Sequence, residues 1–465
     1  MHYPWWHVPV LTSPMLIAAI AVVHVLVSHY AVGGGLFLAV EAAYAYQKRD
    51  REYLAYLRRH AGFFILLTVV FGAITGVGIW WTIGLASPLS TEVLIRTFVF
   101  GWATEWVFFV LELSAGFIFY YYWGRLPEKT HLTIGWIYAL AAWISLVLIT
   151  GITAFMLHPG DWIKPGSQNF WAAFFNPQFI PQTIARTGGA LLLSSLYVYL
   201  HASLTVKEAR LRDLIGSRSA RPALLGAIMV TVGGLGWFYY LPESAAAALE
   251  SAAVLTVLVV LIFALTVAVF LMLYLGPYRN PGWLTPGFAL ALFLMGLAAF
   301  STGEFIREAV RKPYVVYNVV LSNQVLPQEV EGLKQGGYLE GGLWTKALVQ
   351  QEYPQTIGAD GAIDGKRLLE LPAADRRRLG EVLFQHHCND CHAVRRGYSA
   401  VGPLVRGWTH EMIHDLIVDL DQAPFFMPPW CGTEPEAQLI ADYLESIAPE
   451  RPGGMLPMAA GIGGD

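Results

Sequence analysis

The sequence predicts an all-α membrane protein: a polytopic bundle of eight transmembrane helices with its N-terminus outside, followed by a small α-helical domain. Three observations carry this expectation. Hydrophobic residues fill 55% of the 465 positions and charged residues 14%, with a mean hydropathy of +0.48, against about 25% charged in ordinary soluble domains. Eight separate stretches reach the roughly 20 apolar residues that a hydrocarbon core requires. Beyond them the hydropathy falls away and the chain carries Cys388-Asn389-Asp390-Cys391-His392. The net charge of −4 says little about partners, and nucleic acid is not expected among them.

The eight stretches lie at about 14–46, 61–86, 97–123, 131–157, 182–203, 222–241, 251–276 and 285–309. The first and last run past their apolar cores into polar ends. Met1 to Pro14 lacks a basic segment and a cleavage site, so the first helix is expected to act as an uncleaved signal. Lys and Arg set the orientation. The first loop carries Lys48, Arg49, Arg51, Arg58 and Arg59, the third Arg125 and Lys129, the fifth Lys207, Arg210, Arg212, Arg218 and Arg221. Loops two, four and six hold almost no basic residues. The odd loops are therefore expected in the cytoplasm of a bacterium, and eight crossings of its inner membrane return the C-terminal domain to the outer, periplasmic face. On this reading residues 1–312 form the bundle, 313–371 a periplasmic connector and 372–465 the terminal domain. The connector is rich in Gly, Gln and Pro, as in Gly336-Gly337-Tyr338-Leu339-Glu340-Gly341-Gly342. It reads either as a tether with short helical pieces, which raises the effective concentration of a donor at its acceptor, or as a disordered spacer.

Polar groups inside a membrane are expensive and are candidates for function. His24 and His29 both fall in the first stretch. Five residues turn a helix by about 500°, so the two point to different faces and do not share one metal. Gly33-Gly34-Gly35 follows, small enough to let a flat macrocycle or another helix approach. Glu105 and Glu112 in the third stretch are seven apart, about 700° and about 10 Å along the axis, hence on one face. Stacked carboxylates of this kind relay protons or ligate iron; otherwise each is neutral and hydrogen-bonded to a neighbouring helix. Arg186, in the fifth stretch, is a candidate partner for a haem propionate or an interfacial arginine. Glu304 and Glu308 have register partners in Arg307 and Arg311. His131, His158 and His201 sit at helix ends, where a histidine is ordinary.

Cys388-x-x-Cys391-His392 is the attachment signature of a c-type haem. The two thiols add across the haem vinyl groups and the adjacent imidazole takes an axial position. A zinc site would need a second pair of Cys or His ligands, and Cys431 is the one other cysteine. A thioredoxin-like pair has no use for the trailing histidine. Downstream, Met427 stands in Ala423-Pro424-Phe425-Phe426-Met427-Pro428-Pro429-Trp430, a rigid loop suited to hold a thioether against the iron, which raises the reduction potential. Met412, His410 and His414 lie closer in sequence but within a helix-like run, Thr409 to Leu420. Pro435 to Ile447 reads as a closing helix. The order of motif, Met-Pro-Pro and final helix resembles class I cytochromes c over roughly residues 370–450.

Over most of residues 10–320 the membrane region resembles subunit I of the cytochrome bd-type quinol oxidases. The resemblance rests on Ala21-Val22-Val23-His24, on Phe108-Phe109-Val110-Leu111-Glu112 followed by Tyr122-Trp123-Gly124-Arg125-Leu126, and on Phe155-Met156-Leu157-His158-Pro159. It continues in Phe175-Asn176-Pro177 and in Arg311-Lys312-Pro313-Tyr314. It implies that His24 ligates a haem at the oxygen-reducing site and that Glu112 lies there as ligand or proton donor. The chain also departs from the family. Glu105 stands one residue closer to Glu112 than the family's second glutamate does. The histidine that binds low-spin haem b falls at Arg186, and no methionine marks its partner. Glu304 is the nearest acidic residue to the family's glutamate ligand in the last helix. The quinol-binding loop is reduced to Leu241-Pro242-Glu243-Ser244 and a few alanines.

The expected function is thus a membrane-bound respiratory haem protein, an oxidase of bd type fed by cytochrome c. Electrons would enter from a periplasmic donor such as a soluble cytochrome, pass covalent haem c, and reach non-covalent haem b, or haem d, at His24 for reduction of O₂. The alternative is an electron-transfer subunit that links haem c, haem b and quinone or a partner without terminal chemistry. A second membrane subunit, as in the family, or a homodimer is expected within the lipid bilayer.

Overall fold

The computed structural model describes residues 6–420 and 426–448. It is almost entirely helical and separates into two compact units. The first comprises Ala18–Trp81 and Glu92–Arg311, the second Met1–Ile17, Thr82–Thr91 and Lys312–Asp465.

The helices α1 (Ser13–Lys48), α2 (Arg51–Ile65), α3 (Gly72–Ala86), α4 (Pro88–Thr97), α5 (Val99–Tyr121), α6 (Glu128–Phe155), the single turn α7 (Phe170–Phe174), α8 (Phe179–Thr205), α9 (Ala209–Tyr239), α10 (Glu243–Ser251), α11 (Ala253–Leu273) and α12 (Pro286–Ala309) run in sequence. A π-helical segment, Leu66–Phe71, joins α2 to α3 into one continuous span. The ends follow local chemistry. Asp50 caps α2 by accepting the Tyr53 amide at 2.9 Å. Thr285 caps α12 ahead of Pro286, whose missing N–H costs nothing at a first helical position.

Among the described residues seven helices are long and apolar enough to cross a membrane. The fifth expected stretch, 182–203, also folds as a helix, the 27-residue α8, but is not among those seven. Its composition explains the difference. Gln182, Arg186, Ser194, Ser195, Ser203 and His201 interrupt the apolar run, and α8 packs against α6, α9 and α12 rather than lining the outside. The α8–α9 contact is drawn tight by glycine. A Cβ on Gly188 would lie 2.6 Å from the Gly226 carbonyl oxygen, and one on Gly226 2.5 Å from that of Gly188. Small residues at such crossings let backbones touch where no hydrophobic effect drives association.

The three glycines of α1 resolve the same way. A Cβ on Gly33 would lie 2.0 Å from the Ala190 carbonyl oxygen of α8, and one on Gly35 2.1 Å from the Tyr138 ring of α6. They admit neighbouring protein. The interior around them is aromatic, with Tyr30, Tyr53, Tyr56, Phe64 and Tyr138 all buried in one cluster.

In the second unit a short antiparallel hairpin, β1 (Tyr314–Val316) and β2 (Val320–Leu321), precedes α13 (Val330–Gly336), α14 (Tyr338–Gly341), α15 (Leu343–Glu352), α16 (Gly365–Leu369), α17 (Ala373–His387), α18 (Val401–Leu404), α19 (His410–Val418) and α20 (Glu434–Ile447). Segment 313–371 contains the expected short helical pieces but is more than a spacer. Leu321, Val325, Leu333, Tyr338, Leu339, Val349, Tyr353 and Leu368 are buried in the same core as Leu379, Leu383, Phe384, Leu439, Ile440 and Tyr443. Connector and terminal domain thus share one hydrophobic core.

Candidate functional site

The attachment motif begins where α17 ends. The amides of Cys388 and Asn389 both bond to the Phe384 carbonyl, at 2.8 and 3.1 Å. The amides of Cys391 and His392 return to the Cys388 carbonyl at 3.1 and 2.9 Å. This tight turn presents both thiols half-buried and not joined in a disulfide. Burial pushes the Cys388 thiol up to about 12. His392 is oriented by a loop that turns through positive φ at Gly397 (116°) and Ser399 (46°). Its Nδ1 donates to the Ser399 carbonyl at 2.8 Å. That bond fixes the tautomer and leaves Nε2 with a lone pair, the arrangement in which imidazoles bind metals. Burial holds His392 below the ordinary imidazole range, so the ring is neutral at neutral pH. The donor set therefore fits a covalently held haem.

Residues ahead of α1 brace this loop. The Tyr398 amide bonds to the Val10 carbonyl at 2.7 Å, the Ser13 hydroxyl donates to Asp390 at 3.0 Å, and His7 meets Asn389 at 3.3 Å. A Cβ on Gly397 would fall 2.2 Å from the Val10 oxygen. Burial pushes Asp390 up to about 6. Met427 is half-buried and follows a segment, 421–425, outside the described residues; Ala423, Pro424 and Phe425 of the expected loop lie there. Cys431 is fully buried beside Asn323. His414 meets Asp415 and His410 meets Asp442.

In the bundle, Glu105 and Glu112 share one face of α5, as their spacing requires. Each finds a hydroxyl on α6: Ser145 donates to Glu105 at 2.8 Å, and Tyr138 donates to Glu112 at 2.9 Å. The partners are themselves seven residues apart, so two antiparallel helices match turn for turn. That repeated spacing was present in the sequence and marks Tyr138 and Ser145 as members of the site.

His24 points from α1 to the second span. Its Nδ1 lies 3.1 Å from the Thr75 hydroxyl, which donates onward to the Phe71 carbonyl at 2.9 Å. The Nδ1 proton therefore belongs to His24, and its Nε2 keeps a lone pair. Gly76 faces the ring, where a Cβ would stand 3.1 Å from Cε1. These features fit an axial ligand. No hydrogen bond joins His24 to Glu105 or Glu112 among the described residues.

Arg186, Glu304 and Arg307 gather on a different face of α1, around His29. Arg307 binds Glu304 at 2.8 Å, Glu304 feels the charges of Arg186 and His29, and Glu308 pairs with Arg311. His29 is 5% exposed, donates Nδ1–H to the Val25 carbonyl at 3.0 Å, stands edge-on to Phe300, and has a buried Nε2 with no hydrogen-bond partner. Sequence reasoning placed it on another face from His24 and assigned it no role.

Residues 13–238 match the family model of cytochrome bd terminal oxidase subunit I. Over those residues the membrane bundle is similar to subunit I of the cytochrome bd terminal oxidases. The structure of bd oxidase from Geobacillus thermodenitrificans superposes with a TM-score of 0.56 at 18% identity, covering 65% of this chain and 87% of that one. At that identity the likeness is one of fold. No curated protein matches. The family match ends within α9, and residues 239–465 lie beyond it.

Proposed function

We propose that this chain is a membrane-bound respiratory oxidoreductase that takes electrons from a periplasmic donor through a covalent haem c and delivers them to a membrane haem where O₂ is reduced. The observation that carries the reading is the His392 loop. A neutral imidazole whose Nδ1–H is tied to the Ser399 carbonyl sits directly after two half-buried thiols, and iron ligation by Nε2 is the chemistry this suits. When bound, the haems supply one-electron transfer and, at an open position, oxygen binding.

The residues of the chain would divide the remaining work. Cys388 and Cys391 would hold the macrocycle through their thiols, and His392 and Met427 would bind its iron. In the bundle His24, oriented by Thr75, would bind the iron of a membrane haem. Glu112 and Glu105 hold protons next to that site, each positioned by a hydroxyl of α6. Arg186 neutralises a propionate. The donor is a soluble cytochrome or another periplasmic electron carrier, and a second membrane subunit or a second copy of the chain completes the assembly.

A dithionite-reduced minus oxidised spectrum of the purified protein, repeated under CO, tests this. A haem c band with CO-shifted b- or d-type features is expected. A haem c band with a CO-insensitive haem b would replace the oxidase by an electron-transfer subunit, and a spectrum without haem c would remove the electron route itself.

A further inference from the structure

His201, which reads as an ordinary helix-end residue, meets a second histidine inside the bundle. His60 on α2 is completely buried, and its Nδ1 lies 3.1 Å from Nδ1 of His201 on α8. Its other nitrogen, Nε2, lies 3.0 Å from the hydroxyl of Tyr30 on α1, also completely buried. Three exchangeable groups from three helices thus form an unbroken hydrogen-bonded line. His201 is the half-exposed member and feels the charge of Arg59, from the basic first loop. Around the line stand Tyr56 of α2 and Tyr197 of α8, the latter stacked on Tyr30 with centroids 4.2 Å apart. Among the described residues no carboxylate bonds to any of its three members, so no directly bonded negative charge traps a proton on it.

We infer that His201, His60 and Tyr30 form a proton relay leading from the basic-loop end of the bundle toward the Tyr138–Glu112 pair. The inference rests on the reading of Glu112 as a proton-holding group. The direction follows from burial: half-exposed at His201, closed at His60, closed at Tyr30. A proton taken up on Nε2 of His201 sends its Nδ1 proton to Nδ1 of His60. The Nε2 proton of His60 then passes to the Tyr30 oxygen, and the Tyr30 hydroxyl proton moves on. One proton enters, one leaves, no electron moves, and reorientation of the rings and hydroxyl restores the starting tautomers. Phe64 stands edge-on to both Tyr30 and Tyr138, with centroids 5.3 and 5.5 Å away. Tyr138 senses the charge of Tyr30; on this inference the proton crosses from Tyr30 to Tyr138, and Tyr138 hands it to the carboxylate it already bonds at 2.9 Å.

The alternative is that the His–His–Tyr line is only packing. Proton–deuteron exchange at Glu112 separates the two. In the detergent-solubilised full chain, the carboxyl stretch that disappears in Glu112→Gln identifies the group, recorded at a pH where the band is present. After transfer into D₂O its downshift is followed in time. His60→Gln keeps hydrogen bonding but cannot pass a proton through the ring, and Tyr30→Phe removes one hydroxyl from an otherwise unchanged side chain. Exchange slowed at least tenfold in Tyr30→Phe, and in His60→Gln where it retains the parent melting temperature, is the expected result. Exchange at the parent rate in Tyr30→Phe overturns the relay. The readout does not depend on O₂ chemistry, so a CO-inert haem would refute the oxidase and leave this result standing.

Discussion

Glu436 shows how one carboxylate can hold a fold together without touching the chemistry. It accepts the amides of Tyr338 at 2.9 Å, Leu339 at 2.7 Å and Thr433 at 2.7 Å, and it is 2% exposed. The first two amides start α14, the third caps α20, so one side chain ties the former connector to the closing helix. Leaving a buried donor unsatisfied costs about 1–3 kcal/mol, and Glu436→Ala strands three. Hydrogen exchange by mass spectrometry on the full chain is expected to show peptides covering 338–341 exchanging at least tenfold faster, with Glu436→Gln milder because it keeps one acceptor oxygen. Unchanged protection would mean that water replaces the carboxylate and that the tie is incidental. None of this was legible in the sequence, where Glu436 is one acidic residue in a helix start and its partners lie 97 and 98 positions upstream. Cys388, Cys391 and His392 stood out in the sequence because they fall within five residues. His60 and His201 did not, since 141 residues separate them; His201 read as an ordinary helix-end histidine and His60 drew no reading.

Helix pairs are set by where side chains are missing. In the second unit α17 crosses α20 at Gly380, where a Cβ would stand 1.9 Å from the Leu439 carbonyl oxygen and 2.9 Å from the Tyr443 Cβ. Backbone sits opposite backbone, so no rotamer change relieves the clash. Gly380→Ala must push the two helices apart and disturb the Phe384–Tyr443 contact one turn on, where the rings are 5.6 Å apart. Overpacking of this kind costs about 1–3 kcal/mol, which for a unit of this size lowers the melting temperature by about 5 °C. Calorimetry of the full chain reads that shift; a variant as stable as the parent would show the crossing to be loose. At this scale the sequence was informative where hydropathy is periodic or continuous. All eight stretches became helices. Segment 313–371 misled because its core residues are scattered among Gly, Pro and Gln, with no run long enough to signal burial. The α8 helix lies between the two cases: its polar residues break the hydropathy that marks a lipid-facing span, for the same physical reason that they make it an interior helix.

The whole molecule turns on that helix. Among the described residues seven helices satisfy length and apolarity, and an odd number of crossings would put the two ends of the chain on opposite sides of the membrane. The basic residues argue for eight. Lys207 lies between α8 and α9, and Arg210, Arg212, Arg218 and Arg221 lie in the first half of α9, on the side expected to share the cytoplasm with Lys48 to Arg59. If α8 did not cross, these five would face the same side as the nearly uncharged loop before it, against the bias that sets orientation. The glycine-tight α8–α9 hairpin supports a crossing as well, because two long helices packed backbone to backbone leave little room for one to lie flat. Alkaline phosphatase fused after Ile447 is therefore expected to be active, and a fusion after Lys207, between α8 and α9, inactive. Green fluorescent protein at the same two sites should give the reverse pattern. An inactive phosphatase at the C-terminus would place Cys388–His392 in the cytoplasm, away from the side where bacteria attach haem to apocytochromes, and the proposed donor route would fall with it. Topology is thus the cheapest measurement on which the electron path depends, and it can be made before any haem has been identified.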